Sequence, residues 1–304
     1  GRASVTQASA AAARASILRN KSRFAVEAIT AVVDEALCKQ CGVCAGVCPF
    51  GAIQWEKKQV ARVISAACAG CGTCAAECKF EAIMMRHFSD QAIYAQIDAI
   101  LDQDAQDKIV TFACNWCSYA GADTAGVSRM AYPPNARIIR TMCSGRVNPE
   151  FVWHAFQKGA PVVLVSGCHY VDCHYLDANR NTTRRMDGLW DGLEKAGVRP
   201  GRLMLEWCSA AEGARWQNTM IEVENRRQSV NSDELAQSQT ALAGIKTPSP
   251  RTSRPGDENT EVAFACVRCG HQWRDRYGVN TERTCPQCRS NSVRWMKGKV
   301  EASQ

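Results

Sequence analysis

CKQCGVCAGVCPFGAI (residues 38–53) and CAGCGTCAAECKFEAI (residues 68–83) can be laid on each other thirty residues apart, with eight cysteines in register. Phe50 matches Phe80, and Ala52-Ile53 matches Ala82-Ile83. Each copy has the C-x2-C-x2-C-x3-C run that wraps a 4Fe–4S cluster. Three thiolates on one tight loop reach three corners of a cubane, and the fourth reaches across to the neighbouring cluster. That crossing predicts one set of Cys38, Cys41, Cys44 and Cys78, and a second of Cys68, Cys71, Cys74 and Cys48. Two adjacent clusters make a path for single electrons. A disulfide knot or a zinc site is the competing reading of such a run.

The repeat resembles bacterial-type two-cluster ferredoxins. It departs once: Lys79 follows Cys78 where Pro49 follows Cys48.

The remaining sequence is too long for one such unit. At 304 residues the chain suits two or three domains, and 46% hydrophobic residues support buried cores. The eighteen cysteines fall into three groups: eight in the repeat, six between Cys114 and Cys208, and four from Cys266 onward. C-x2-C pairs in a long chain without a secretory signal favour metal over disulfides. No apolar run approaches the eighteen residues of a membrane span, and the expected location is cytoplasmic. The N-terminal stretch GRASVTQASAAAARASILRNKSRF is basic and Ala-rich. It reads as a helix packed on a neighbouring domain in preference to a transit peptide. Opening at Gly1 suggests processing or a piece of a longer chain.

Six segments are expected. Residues 1–35 are a helix and lead-in, and 36–85 the ferredoxin-like unit. Residues 86–107 are a helical connector, with Ser89 as N-cap and Ile93, Ile97, Ile100 and Leu101 on one face. In residues 108–226 four short apolar runs alternate with helical patterns. KIVTFAC (108–114), ARIIRTMC (136–143), PVVLVSGC (161–168) and GRLMLEWC (201–208) each end in a cysteine. Helices are expected near 118–130, 149–158, 180–196 and 209–226. Continuous apolar strands alternating with helices argue a parallel sheet covered on both faces. Parallel strands end at one edge, so Cys114, Cys143, Cys168 and Cys208, with Cys117 and Cys173 in the following loops, should converge there. Residues 227–260 read as a flexible linker, with KTPSPRTSRPGDENT at its end. In 261–304, Cys266-x2-Cys269 and Cys285-x2-Cys288 have the spacing of a structural zinc site. Four thiolates accept iron as well. The expected fold class is an α+β ferredoxin-like two-cluster unit, an α/β parallel-sheet domain and a small zinc ribbon.

CNWCSYAGADTAGVSRMAYPPNARIIRTMCSGRVNPEF (114–151), with SGCHYVDCHY and LEWCSAAEGARW, resembles the delta subunit of methyl-viologen-reducing hydrogenase. The resemblance covers about residues 108–220. It implies a 2Fe–2S cluster and a role between a hydrogenase or formate dehydrogenase and heterodisulfide reductase. Residues 1–85, including AVVDEALC, are similar to the C-terminal ferredoxin-like part of the heterodisulfide reductase A subunit. No G-x-G-x-x-G occurs, so FAD is expected on another chain or a missing segment. Cys114, Cys117, Cys143, Cys168 and Cys173 offer five thiols for the four positions of a 2Fe–2S cluster. Cys208 reads as an outer thiol or a core cysteine. His169 and His174 flank the site, where they would hydrogen-bond cluster sulfur or merely satisfy loop backbone. Trp116 and Trp207 read as packing residues.

These readings imply a cofactor set of two 4Fe–4S clusters, one 2Fe–2S cluster and one zinc or iron ion. They imply a non-catalytic electron-transfer subunit of an anaerobic hetero-oligomeric oxidoreductase complex, its partners a heterodisulfide reductase-type flavoprotein and hydrogenase or formate dehydrogenase subunits. Electron bifurcation would occur on a flavin held elsewhere. Two rivals belong to other classes. Cys114-Asn-Trp-Cys117 between strand and helix resembles a thioredoxin-like dithiol, whose pKa a helix N-terminus lowers. A dithiol enzyme has no use for Cys143, Cys168 and Cys173. The net charge of +7 is uneven, with eight Arg/Lys (268, 274, 276, 283, 289, 294, 297 and 299) against Asp275 and Glu282 between Cys266 and Lys299. A redox-sensing protein with a ribbon on nucleic acid would use that charge. Docking to protein is the preferred reading.

Overall fold

The computed structural model describes residues 2–19, 28–247 and 258–296. The lead-in at 20–27, the linker stretch at 248–257, and Lys297 and Lys299 lie outside the described residues.

Helix α1 (Arg2–Arg19) has no acidic first turn and almost no apolar face. Its described side chains, residues 4–14 and 16, are exposed.

The ferredoxin-like region is built from very short elements. They are β1 (Ala31–Val33), α2 (Val43–Gly46), β2 (Ile53–Gln54), β3 (Arg62–Val63), α3 (Thr73–Ala76) and β4 (Ile83–Met85). Each copy of the repeat gives one strand–helix–strand unit, and the strands are exchanged between copies. β1 pairs with β4 and β2 with β3, both antiparallel. Gly42 and Gly72 precede the two short helices at φ of 75° and 76°, a left-handed conformation that a side chain disfavours. A Cβ on Gly72 would also clash with the Arg146 side chain.

Ser89 caps α4 (Asp90–Leu101) by accepting the Ala92 N–H at 3.2 Å. Ile93, Ile97 and Leu101 face the core as their spacing required. The α/β domain follows as β5 (Ile109–Cys114), α5 (Ser118–Val127), β6 (Ala136–Thr141), α6 (Pro149–Gln157), β7 (Val162–Gly167), α7 (Ala178–Lys195), β8 (Leu203–Trp207) and α8 (Gly213–Gln228). Its sheet is wholly parallel in the order β6-β5-β7-β8. Both faces are covered at β5, β7 and β8, hence their unbroken buried runs, whereas the edge strand β6 leaves Arg137, Ile138 and Arg140 exposed, which corrects the expectation of full cover for that strand. Val110, Phe112, Val163, Val165, Leu203 and Leu205 pack towards α4, α6 and α7. Ile109, Ala113, Leu164 and Met204 pack towards α5 and α8.

The stretch read as a flexible linker holds a helix, α9 (Ser232–Leu242), capped by Asn231 accepting the Glu234 N–H at 2.8 Å. Leu242 is buried in the core beside α6. This corrects the expectation for the first half of that segment.

The last unit is a three-stranded antiparallel sheet of β9 (Glu261–Cys266), β10 (Gln272–Arg276) and β11 (Val293–Trp295), in the order β10-β9-β11. It seats on the open edge of the parallel sheet. An edge strand presents unpaired backbone groups, and here the loop before β11 satisfies them. Ser292 Oγ accepts the Leu205 N–H at 2.9 Å and donates to the Leu205 carbonyl at 3.0 Å. Asn291 Oδ1 accepts the Trp207 N–H at 3.2 Å. The buried Glu206 carboxylate accepts from the Ser290 hydroxyl and the Asn291 N–H. Arg283 forms a buried ion pair with Asp187 on α7 at 2.9 Å.

Candidate metal centres

In the sheet order β6-β5-β7-β8 the direction of chain progression reverses between β5 and β7. The crevice at the carboxyl ends of strands at such a point is where open α/β sheets bind ligands. Cys114 ends β5 and Cys168 follows β7, so these two flank the crevice. Their sulfurs lie 3.7 Å apart. Cys117 at the start of α5, Cys143 after β6 and Cys173 in the loop after β7 complete a group of five thiols: Cys114, Cys143, Cys173 and Cys168 are linked in a ring of neighbouring sulfurs, and Cys117 joins it at Cys168.

These sulfurs set one another's acidity. Bonds from Cys143 and Cys168 pull the Cys114 thiol well below its ordinary value. A bond from Cys168 lowers Cys117, and bonds from Cys143 and Cys168 lower Cys173. The same bonds push Cys143 and Cys168 up. The Gly145 N–H donates to Cys143 Sγ at 3.3 Å, and amides of Trp116 and Cys117 favour the Cys114 thiolate.

Cys208 stays outside the group. It sits in the core against α8, within 3.5 Å of the Ser209 and Glu212 carbonyls, and burial pushes its thiol up to about 12. His169 Nδ1 meets both Glu282 oxygens at 3.0 Å, and Nε2 meets Glu212 at 2.9 Å. Those carboxylates, Glu282 foremost, raise the imidazole pKa to about 9. His174 stacks on Trp116 with ring centroids 3.9 Å apart. Trp116 is 43% exposed, whereas Trp207 is buried.

In the ferredoxin-like region the cysteines fall into two neighbourhoods. Burial raises the Cys44 thiol to about 11, and the charges that add to this belong to Cys78, Cys41 and Cys38. Burial likewise raises Cys74, with Cys71, Cys68 and Cys48 adding most. The Ala31 N–H donates to Cys68 Sγ at 3.5 Å.

The two cysteine regions touch. Cys71 and Cys143 share one buried patch with Tyr175 and Ala178, flanked by Phe50, Ala69 and Cys173. Tyr175 accepts from the Trp116 indole at 3.0 Å and meets Phe50 edge-on. Around the patch two buried arginines pin the regions together. Arg185 bonds Glu77 at 2.6 Å and the Gly145 carbonyl at 2.7 Å. Arg146 bonds the Phe88 carbonyl at 2.9 Å and also reaches Asp90. These residues carried no motif, and only buried charge at the foot of a cysteine loop hints at them.

In the ribbon, Cys266, Cys269, Cys285 and Cys288 place all four sulfurs within 4.8 Å of one another, a grouping able to hold a metal ion. Cys266 and Cys288 are 3.6 Å apart, Cys269 and Cys285 3.7 Å.

Comparison with known proteins follows the same division. The family profile of the methyl-viologen-reducing hydrogenase delta subunit matches residues 109–230, and that of the 4Fe–4S binding domain matches residues 31–54. The chain is 47% identical over 220 residues to the A subunit of the ferredoxin:CoB-CoM heterodisulfide reductase of Methanosarcina mazei, covering 72% of this chain and 28% of that protein. It is 52% identical over 118 residues to the vhc iron-sulfur subunit of the F420-non-reducing hydrogenase of Methanococcus voltae, covering 39% of this chain and 82% of that one. The F420-non-reducing hydrogenase iron-sulfur subunit of Archaeoglobus profundus is 43% identical over 122 residues, which are 40% of this chain and 89% of that one. The chain thus spans little more than a quarter of the reductase protein it matches. No described helix is long and apolar enough to cross a membrane. An iron–sulfur protein in its N-terminal region, the chain belongs to the methyl-viologen-reducing hydrogenase delta subunit family.

Proposed function

We propose that the chain is an iron–sulfur electron-transfer unit of a heterodisulfide reductase-type complex. Its partners would be a hydrogenase or formate dehydrogenase-like protein on one side and a flavoprotein on the other. The observation that carries this reading is the shared buried patch of Cys71 and Cys143, where two separate cysteine sets meet. Cys38, Cys41, Cys44 and Cys78 would hold one 4Fe–4S cluster; Cys68, Cys71, Cys74 and Cys48 would hold the second. Four of Cys114, Cys117, Cys143, Cys168 and Cys173 would hold a 2Fe–2S cluster. When bound, these groups supply one-electron redox centres whose potentials follow cluster type, charge and hydrogen bonding.

The chain's own residues fit that role. Backbone N–H groups point at the sulfurs of Cys68 and Cys143, as donors do at ligating sulfur. Arg146 and Arg185 fix one cysteine set against the other, and Tyr175 with Phe50 keeps water from the gap. The thiols at the crevice are ill placed for dithiol chemistry, since Cys114 is fully buried and Cys117 nearly so.

Cys266, Cys269, Cys285 and Cys288 would hold zinc. A tetrahedron of zinc–sulfur bonds of about 2.3 Å has sulfur–sulfur edges of about 3.8 Å, close to the two short separations present. The ribbon's basic residues support docking within the chain over nucleic-acid binding. Arg268, Arg274, Arg283 and Arg294 pair with Glu222, Glu261, Asp187 and Glu194 respectively, and three of those four acids lie outside the ribbon.

Cys143→Ser and Cys44→Ser in the anaerobic full chain test the assignment. Each should remove its own paramagnetic signal after dithionite reduction, 2Fe–2S and 4Fe–4S respectively, and stop reduction of the flavoprotein. Retention of the 2Fe–2S signal and partner reduction in both Cys143→Ser and Cys114→Ser, at most one of which replaces the spare thiol, would refute the site.

A further inference from the structure

We propose that Glu282, on the ribbon, is a positioning residue for the loop that carries Cys168 and Cys173, so that the ribbon acts as a clamp on the crevice thiols. The inference rests on the reading of those thiols as cluster ligands. The family match ends at residue 230, well before Glu282, so this contact lies outside what the family relation covers.

The Glu282 carboxylate accepts the backbone N–H of Tyr170 at 3.0 Å and engages His169 Nδ1 with both oxygens at 3.0 Å. It thereby grips two consecutive residues immediately after Cys168. The opposite side of the imidazole is held by Glu212 at 2.9 Å, and Glu212 is anchored in turn by the Ser209 N–H at 2.7 Å. From inside, Asn179 Nδ2 donates to the carbonyls of Cys168 and His169 at 3.0 and 2.9 Å. The loop is short between its two cysteines, with one turn of 3-10 helix at Tyr170–Asp172. Fixing His169 and Tyr170 therefore fixes where both sulfurs stand.

Glu282 is itself held. Asn291 Nδ2 donates to it at 3.0 Å, and the Asn291 side chain also bonds the Arg283 carbonyl and the β8 backbone. Its neighbour Arg283 is pinned to Asp187, and Cys285 lies three residues on. The metal-binding loop, the β8 edge and the crevice loop are thus joined through one carboxylate. A ligand set held to this degree is what narrow control of a metal site's geometry requires.

The test uses the full chain, purified anaerobically, as wild type, Glu282→Ala and Glu282→Gln. Hydrogen exchange is read on the peptide spanning residues 168–175, with β9 and the zinc content reporting whether the ribbon still stands. Loss of a charged acceptor should speed exchange at Tyr170 in Glu282→Ala at least about tenfold. Glu282→Gln keeps a neutral acceptor and should give a smaller change in the same direction. The 2Fe–2S signal should broaden or shift in Glu282→Ala, with the 4Fe–4S signals unmoved. Unchanged exchange at 168–175 in Glu282→Ala overturns the proposal. If Glu282→Ala loses zinc and the β9 protection, Glu282→Gln decides by the same criterion. A wild type lacking any 2Fe–2S signal refutes the cluster reading instead, and the exchange result still stands on its own.

Discussion

Residues 31–85 and residues 109–228 hold their cysteines in opposite ways. The first region has strands of two or three residues and helices of four, and Cys44 and Cys74 are themselves part of its small core. A unit of this size is marginal on apolar burial alone. The second region has a complete core, including Phe112, Phe151, Trp153, Trp190 and Trp207, and its clustered thiols sit at one edge of it. On the proposed assignment, metal and fold would be one problem in the first region, whereas in the second the thiols stand at the edge of a core that they do not themselves build.

The largest expected effect follows from that contrast. Stripping iron and zinc with a chelator should abolish amide protection in β1, β4 and β9, because ligand binding there is folding free energy. Protection in β5 and β7 should persist, as read by hydrogen exchange. Equal loss in all five strands would break the comparison.

Next is the tie between the regions. Arg185→Ala leaves Glu77 without its buried partner and should cost about 3–5 kcal/mol in chemical denaturation. A cost below about 1 kcal/mol, the range of an exposed pair, would mean that the regions are joined by something else. Ser89→Ala removes the cap of the helix that connects them and should cost about 0.5–2 kcal/mol, seen as a lower melting temperature. Smallest is Glu194→Gln at the ribbon, where the pair with Arg294, whose carboxylate partner is more than half exposed, is worth at most about 1 kcal/mol. The hydrogen bond from Arg294 lowers the Glu194 pKa. Its contribution is therefore complete above the usual glutamate value of about 4.3 and fades as pH falls through the lowered one. Wild type and Glu194→Gln should converge in stability in acid, and their gap at neutral pH should shrink with salt.

The sequence was most legible where one pattern repeats. Four apolar runs ending in cysteine announced a parallel sheet, and parallel strands must deliver Cys114, Cys143 and Cys168 to one end. Helix α9 was missed because its face is mostly polar, although Asn231 followed by Glu234 is a capping signal. The packing of the ribbon left no local trace. Ser290, Asn291, Ser292 and Glu282 are ordinary loop residues in sequence, and their partners lie some eighty to one hundred and thirteen positions away. The buried patch shared by Cys71 and Cys143 was equally hidden, since the motifs place each sulfur within its own unit and say nothing of how the units abut.

Iron, sulfide and zinc per chain, measured on anaerobically purified protein with paramagnetic resonance after dithionite reduction, test the central claim most directly. The account predicts about ten irons and about one zinc, with both 4Fe and 2Fe signals. About eight irons, with titratable thiols at the crevice and no 2Fe signal, would contradict it.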